Sequence, residues 1–286
     1  MGYLVAASLS EVLDALGKPD AAVIAGGTDW FPAQGTRPFK GDLVDISRVP
    51  GLRGITRETS GWRIGGATTW TDLIRADLPP AFDGLKAAAR EVGSIQIQNA
   101  GTVAGNLCNA SPAADGVPPL LTLGALVELV SARGIRRMAL SEFLIGPRKT
   151  ALMPGEVLAA LIIPDLPGSA QGAFLKLGAR HYLVISIAMV AALVTLDRDR
   201  VAQAAVAVGS CSATAQRLPA LEADLIGRSL DDLRAAGTEI IVPGHLAPLM
   251  PITDVRGSAD YRLEAAATLC VRALHMAIAQ GENAHG

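Results

Sequence analysis

The sequence of 286 residues has few aromatic side chains, few cysteines and no large excess of either charge. Aromatic residues make up 4% of the chain and hydrophobic residues 50%, so its core must be largely aliphatic. The formal net charge is −2 and no basic run occurs, which argues against nucleic acid or an anionic membrane as a partner. The most apolar stretch, residues 185–196, is shorter than the roughly 18 residues that a membrane span needs. We therefore expect no membrane span and no nucleic-acid partner.

The three cysteines, Cys108, Cys211 and Cys270, are odd in number and far apart, with no CxxC motif. This spacing argues against a disulfide framework, a structural zinc site and an iron–sulfur cluster. The four histidines do not occur at metal-ligand spacing, and the N-terminal segment lacks the basic region of a signal peptide. We expect a reduced, cytoplasmic protein with no metal of its own.

Hydrophobic periodicity predicts a mixed chain in the α+β class, with a small antiparallel sheet and helices in its C-terminal part. The segment DLPGSAQG at 165–172 is the clearest linker. Helices are predicted at 8–16, 69–76, 82–92, 118–124, 215–226, 230–236 and 259–279, and strands at 21–25, 42–46, 62–67, 126–131, 136–140, 173–177, 186–196 and 201–209.

Two glycine-rich stretches have the composition of anion-binding turns: AGGTD at 25–29 and GTVAGN at 101–106. Glycine lets backbone amides approach a ligand closely, and successive free N–H groups form a concave anion site. Two such stretches could hold the two phosphates of a dinucleotide from opposite sides, with Asp115 as a partner for a ribose diol. The alternative for AGGTD alone is an ordinary tight turn.

The second stretch lies within NAGTVAGNLCNASPAAD, residues 99–115, which is polar, small-residue-rich and without apolar periodicity. We predict a long irregular loop there, and loops of that length are usually functional or disordered. Neither stretch matches GxGxxG or GxxxxGK[ST], so the sequence lacks the Rossmann and P-loop fingerprints. Composition and pattern alone thus predict a phosphate-bearing cofactor without naming it.

Four motifs occur in a recognisable order: AGGTD, GTVAGNLCNASPAAD, FLKLGAR from Phe174 and DVRGSADYR from Asp254. Together they resemble the FAD-binding medium subunit of the molybdenum hydroxylases, the xanthine dehydrogenase and carbon monoxide dehydrogenase medium-subunit family. The resemblance runs from Val23 to Arg272. It implies a two-subdomain FAD-binding region of the vanillyl-alcohol-oxidase (PCMH) type at 1–55 and 56–166. A C-terminal α+β domain of the CO dehydrogenase flavoprotein type would follow at 170–282.

The resemblance also implies a function. One non-covalent FAD would receive electrons from the [2Fe–2S] clusters of a small subunit and pass them to an external acceptor. A large subunit would carry molybdopterin, and the assembly would be a dimer of heterotrimers. This chain would then contribute no catalytic acid, base or metal ligand.

The resemblance assigns cofactor contacts residue by residue. The pyrophosphate would lie between two glycine-rich segments, the adenosine half near Asp115 and the backbone of Leu158, and the flavin ring near the segment that carries Tyr182. The residues implied as cofactor-binding are Ala25, Gly26, Gly27, Thr28, Asp29, Trp30, Gly101, Thr102, Ala104, Gly105, Asn106, Asn109, Asp115, Leu158, Lys176 and Tyr182.

The sequence departs from the family pattern at two positions. Ala104 replaces the first glycine of the family's TIGG, and this is tolerable only if φ is negative there. Val184 replaces an acidic residue after Arg180, which affects the contacts expected near the flavin ring. Two other functions therefore stay open at this point: a stand-alone FAD oxidoreductase, and an assembly subunit that has lost FAD.

Overall fold

The computed structural model describes residues 2–36 and 39–285, with side chains through Gln280. Met1, Arg37 and Pro38, which belong to the predicted first subdomain, lie outside the described residues. Contacts divide the chain into two compact units that alternate along the sequence. The first unit comprises Met1–Ala76, Gly93–Ala110 and Ala125–Asp165, and the second comprises Asp77–Val92, Ser111–Gly124 and Leu166–Gly286. The predicted domain boundaries stay predictions.

The secondary structure is mixed, in agreement with the predicted α+β class. The strands are β1 Tyr3–Val5, β2 Ala22–Ile24, β3 Leu43–Asp45, β4 Ile55–Glu58, β5 Gly61–Gly65, β6 Leu126–Ser131, β7 Gly134–Ala139, β8 Leu144–Gly146, β9 Lys149–Thr150, β10 Val157–Pro164, β11 Gln171–Leu177, β12 Ala188–Asp197, β13 Arg200–Gly209 and β14 Gln216–Arg217. The helices are α1 Leu9–Leu16, α2 Trp30–Gln34, α3 Trp70–Arg75, α4 Asp83–Glu91, α5 Ile95–Ala100, α6 Val103–Asn109, α7 Val117–Thr122, α8 Leu140–Phe143, α9 Pro219–Leu225, α10 Leu230–Ala236 and α11 Ala259–His285.

The first unit contains a parallel sheet and an antiparallel sheet. Strands in the order β1-β3-β2 form the parallel sheet, and β4-β5-β10-β6-β7 form the antiparallel one. Val12 of α1 is buried with Val44 of β3 and with Val157 and Ala159 of β10 in one aliphatic core. Central strand β10 is buried over its whole length except Pro164, which agrees with its continuous apolar sequence. This core holds the ends of β2 and β10 in place, and both ends contribute to the site described below.

The second unit contains an antiparallel sheet in the order β11-β12-β13-β14. Successive side chains of a strand point to opposite faces. Accordingly, Met189 and Ala191 of β12 pack with Ala88 of α4, whereas Val190 and Ala192 belong to the core that α11 completes. Burial on both faces explains why β12 is apolar from Ala188 through Val194.

Arg262 of α11 connects three segments of the second unit. Its guanidinium pairs with Asp254 at 2.7 Å and donates to the carbonyl oxygens of Ser210 (3.1 Å) and Ile187. The Arg262 side chain and Ile187 are buried, and Asp254 is partly exposed, so the DVRGSADYR motif supplies internal hydrogen bonds to this unit. These bonds join the end of β13 to the start of β12.

Two parts of the secondary-structure prediction are wrong. Residues 99–115 were expected to be one irregular loop, but 103–109 form α6, because the Thr102 hydroxyl accepts the Gly105 N–H and caps the helix. The predicted helix at 215–226 begins later, at Pro219, because Gln216 and Arg217 pair with β13 as β14. The short elements that were not predicted are β1, β4, β8, β9, α2, α5 and α8.

Candidate cofactor-binding site

The first unit contains a cavity of about 420 Å³ between the ends of its strands. Aliphatic side chains form most of the lining, and Thr102, Cys108 and Glu156 are the polar side chains among the described lining residues. Ala25, Thr102, Ala104, Gly105 and Leu158, all predicted cofactor residues, lie on its wall. This volume is typical of small-molecule and cofactor pockets.

The two glycine-rich stretches lie against each other. A Cβ atom added at Gly26 would lie 1.9 Å from the carbonyl oxygen of Ala100, so only glycine fits there. On the other side, a Cβ at Gly101 would lie 3.3 Å from the Thr28 hydroxyl. The structure therefore brings together segments that are about 75 residues apart in the sequence.

The segment 25–29 leaves the sheet with unused backbone donors. Among the described residues, the N–H groups of Gly26, Gly27 and Thr28 donate to no acceptor. Gly27 has φ +66°, and a left-handed residue in such a run turns successive N–H groups toward one side. This stretch therefore has the backbone donors that the predicted anion site requires.

Helix α6 presents the second set of groups. The N–H of Val103 bonds to Thr68 (3.0 Å) and that of Gly105 to the Thr102 hydroxyl (3.0 Å), whereas the N–H of Ala104 has no acceptor among the described residues. The side-chain oxygen of Asn106 is buried and likewise lacks a partner within the described part of the chain. One backbone donor on the cavity wall and one buried side-chain oxygen two residues later therefore have no acceptor or donor among the described residues.

Ala104 fits its position without backbone strain. It lies in the first turn of α6, is absent from the described non-glycine residues with positive φ, and is 4% exposed. Alanine can replace the family's glycine here only if φ is negative, and this condition is met. Its methyl group adds apolar lining to the cavity.

An arginine that sequence reasoning missed holds the end of α6. Ala110 and Arg148 are both left-handed, with φ +46° and +58°. The Arg148 N–H donates to the carbonyl oxygen of Ala110 at 2.8 Å, and its guanidinium donates to the carbonyl and side-chain oxygens of Asn109. The positive φ of a non-glycine residue is unusual and costs conformational energy. Asn109 is thus fixed by Arg148.

Cys108 is an exposed residue on the wall of the cavity, and the lining around it is mostly aliphatic. Desolvation of the thiol by this lining raises its pKa to about 12. A thiol with so high a pKa is almost entirely protonated at neutral pH and is a poor nucleophile. The geometry therefore favours a packing role for Cys108.

Three predicted cofactor residues belong to the second unit. Asp115 and Lys176 form a buried ion pair with 2.9 Å between Oδ2 and Nζ, and the Ser186 hydroxyl donates to Asp115 Oδ1 at 2.8 Å. Burial raises the pKa of Asp115, and the Lys176 ammonium opposes that rise. Tyr182 is 46% exposed. Their roles toward a cofactor stay predictions.

Trp30 and Asp29 begin helix α2 in the first unit. The Trp30 ring meets Phe31 and Phe39 edge to face at centroid distances of 5.1 and 5.3 Å. Asp29 is the N-cap residue, but its carboxylate makes no capping bond. The carboxylate is thus not used by the helix that it precedes.

Two negative findings concern the described residues only. Among them, no group of three or more His, Cys, Asp or Glu side chains could hold a metal ion. In the same part of the chain no helix is both long and apolar enough to cross a membrane.

Comparison with known proteins identifies the family. Residues 1–166 match the model of the FAD-binding domain in molybdopterin dehydrogenase, and residues 173–277 match the CO dehydrogenase flavoprotein C-terminal domain. The chain is 34% identical to the 6-hydroxypseudooxynicotine dehydrogenase complex subunit alpha of Paenarthrobacter nicotinovorans, over 96% of this chain and 94% of that protein. It is 32% identical to the xanthine dehydrogenase FAD-binding subunit of Escherichia coli O157:H7, over 97% and 96%.

A solved structure supports the same family. Reconstituted CO dehydrogenase from Oligotropha carboxidovorans contains a chain that superposes with a TM-score of 0.89 at 29% identity, covering 98% of each chain. The family predicted from the four motifs is confirmed. The chain belongs to the FAD-binding medium subunits of the molybdenum hydroxylases, and is an oxidoreductase subunit whose cofactor is FAD.

Proposed function

We propose that this chain carries one non-covalently bound FAD and relays electrons from the [2Fe–2S] clusters of a small subunit to an external acceptor. A molybdopterin-bearing large subunit oxidises the substrate, and the assembly is a dimer of heterotrimers. The relatives are named as subunits of multi-subunit dehydrogenases, which supports such partners. The identity of the substrate is then determined by the large subunit. The free thiols of Cys211 and Cys270 support a reduced, cytoplasmic location.

One observation carries the cofactor assignment: in the opposed segments 25–29 and 101–106, some backbone amides have no acceptor among the described residues. We assign the pyrophosphate of FAD to these amides. Backbone donors suit a phosphate because they are fixed in place and need no side-chain ordering. Thr28 adds a hydroxyl where the two segments meet.

The residues present fit the rest of the cofactor. The cavity has an aliphatic lining, which suits an aromatic ring system, and Leu158 at the bulge of β10 contributes to that lining. The buried Asn106 oxygen can accept a hydrogen bond from a ligand hydroxyl or amine. FAD, when bound, supplies redox chemistry in both one-electron and two-electron steps. The protein's own residues bind it, orient it and exclude water.

The test is the exchange of Gly27 for valine. A Cβ at Gly27 meets the Phe31 ring at 2.6 Å, and φ +66° is unfavourable for a branched residue, so Gly27→Val displaces the amides of this segment. We expect the purified variant to lack the visible flavin absorption that the wild-type protein shows after incubation with FAD.

Gly51→Val is the matched control. Gly51 has φ +78°, and a Cβ there has no neighbour within 4 Å, so the backbone strain is similar, but Gly51 is not among the residues that line the cavity. The control should retain FAD. A fully flavinated Gly27→Val protein would contradict the pyrophosphate assignment.

A further inference from the structure

Glu156 is a buried carboxylate that neither the motifs nor the proposed phosphate contacts use. It lies just before β10, and its side chain is 3% exposed. It belongs to residues 152–156, a segment without helix or strand structure that forms one wall of the cavity. A wall built from irregular backbone needs interactions outside the sheet to fix its position.

The contacts of Glu156 provide that fixation. Arg136 of β7 binds it with two parallel bonds, Nε to Oε1 at 2.7 Å and Nη2 to Oε2 at 2.8 Å. The same Nη2 donates to the carbonyl oxygen of Ala151 (2.8 Å), and the Met153 N–H donates to Glu156 Oε2 (2.8 Å). A two-bond arginine–carboxylate pair is geometrically rigid. The two side chains, here called the Arg136–Glu156 clasp, thus attach the cavity wall to β7 at both its beginning and its end.

We propose that the Arg136–Glu156 clasp sets the position of the cavity wall 152–156, together with Ala151 just before it, and thereby the affinity of this chain for FAD. Both side chains are positioning residues, because they act through the wall. The inference rests on the proposed location of FAD in this cavity. It adds residues that none of the four motifs contains.

The same strand offers a matched control pair. Arg137, the next residue of β7, points to the opposite face and binds Glu128 of β6 with its Nε (2.9 Å) and Nη2 (2.6 Å). Arg63 also binds Glu128, at 3.0 Å. Glu128 is buried like Glu156, but neither it nor Arg137 lines the cavity. Breaking this pair removes a similar ion pair from the same sheet without touching the wall.

The experiment uses full-length apo-protein and FAD. Glu156→Gln and Arg136→Met are compared with Glu128→Gln and Arg137→Met, and the dissociation constant is measured by quenching of flavin fluorescence. We expect the clasp variants to bind FAD about tenfold more weakly, since they lose a charge-assisted bond that orders the wall. The dissociation constants of the control variants should stay within about twofold of the wild-type value. This should hold even if their melting temperatures fall as much as those of the clasp variants.

A second measurement does not depend on FAD. Hydrogen exchange of the apo-protein should become faster in the peptide covering 151–156 in Glu156→Gln, because a neutral amide replaces the charged acceptor of the Met153 N–H and of Arg136. It should stay unchanged there in Glu128→Gln. Arg136→Lys keeps the charge without the fork and should recover part of the affinity.

Equal loss of FAD affinity in both pairs, or unchanged exchange at 151–156, would overturn the inference. If the wild-type protein itself binds no FAD, the proposed function fails instead.

Discussion

Replacement of Asp115 by asparagine tests the buried ion pair of the second unit. Asp115 and Lys176 are 10% and 6% exposed, and their charged atoms are 2.9 Å apart. At an effective dielectric constant of about 20, that separation corresponds to about 6 kcal/mol of attraction before the cost of burial. Asp115→Asn keeps the shape and the oxygen that accepts the Ser186 hydroxyl, but it leaves the Lys176 ammonium without its counter-charge.

The expected loss is about 3 kcal/mol of unfolding free energy, the lower end for breaking a buried pair, because the Lys176 ammonium keeps the Glu91 carbonyl oxygen as an acceptor at 3.4 Å. Lys176→Met combined with Asp115→Asn removes both charges. The double variant should be at least about 1.5 kcal/mol more stable than the sum of the single losses predicts.

Urea unfolding followed by two probes gives the measurement. All three tryptophans, Trp30, Trp62 and Trp70, lie in the first unit, so their fluorescence reports that unit. Far-UV circular dichroism includes the long helix α11 of the second unit. The loss should appear in the dichroism transition. Two results would contradict the expected role of the ion pair. One is an unfolding free energy of Asp115→Asn within about 0.5 kcal/mol of wild type, and the other is a double-variant loss equal to the sum of the two single losses.

The remaining predictions concern the first unit. Ala104→Gly should lower the melting temperature, because glycine costs about 0.5–1 kcal/mol in a helix, and leave FAD affinity within about twofold; a large gain in affinity would show that the methyl group obstructs the cofactor. Cys108 should react with iodoacetamide at pH 8 at least about a hundredfold more slowly than free cysteine, since its pKa is about 12, as peptide mass mapping would show; alkylation at the free rate would contradict this. Burial opposes ionisation of Glu128, but hydrogen bonds from Arg137 and Arg63 outweigh this effect and lower its pKa. The contribution of Glu128 to the free energy of unfolding is therefore fully present above the unfolded pKa of about 4.3. It is lost as the pH falls through the lower folded pKa. Urea titrations across the acid range should therefore show a shallower loss of stability for Glu128→Gln than for wild type, and parallel curves would contradict the assignment.

The elements predicted best are those in which apolar pattern and burial agree. Strands β12 and β13 are long apolar runs joined by a polar turn, and α11 is a long amphipathic segment. Their pairing is local in sequence, so a hairpin prediction suffices. Short strand β1 was missed because it pairs in parallel with β3, some 40 residues later, and its own residues are exposed.

Helix α6 shows where composition misled. Small and polar residues are typical of loops, yet here small residues allow close packing, and Thr102 supplies the cap that starts the helix. The motif resemblance singled out Thr102, Ala104 and Gly105, which line the cavity, even though their local structure was predicted wrongly. The order of the motifs along the chain indicated which residues to expect there, whereas the helix propensity of residues 103–109 did not.

The parts of the site outside the motifs could not be predicted. Arg136 and Glu156 are 20 residues apart in the sequence. A charged residue such as Arg136 on a strand is normally expected to point into solvent, and only the fold shows that the two side chains meet. Arg148 likewise acts through a backbone conformation that no composition signals. Such contacts depend on tertiary packing, which a single sequence does not display.

The most direct test of the account is a calorimetric titration of FAD into the purified, folded apo-protein, with the visible spectrum of the product recorded. The account predicts one FAD per chain, flavin absorption that stays with the protein through gel filtration, and loss of both in Gly27→Val but not in Gly51→Val. A folded wild-type protein that takes up no FAD, or uptake that Gly27→Val leaves unchanged, would contradict it.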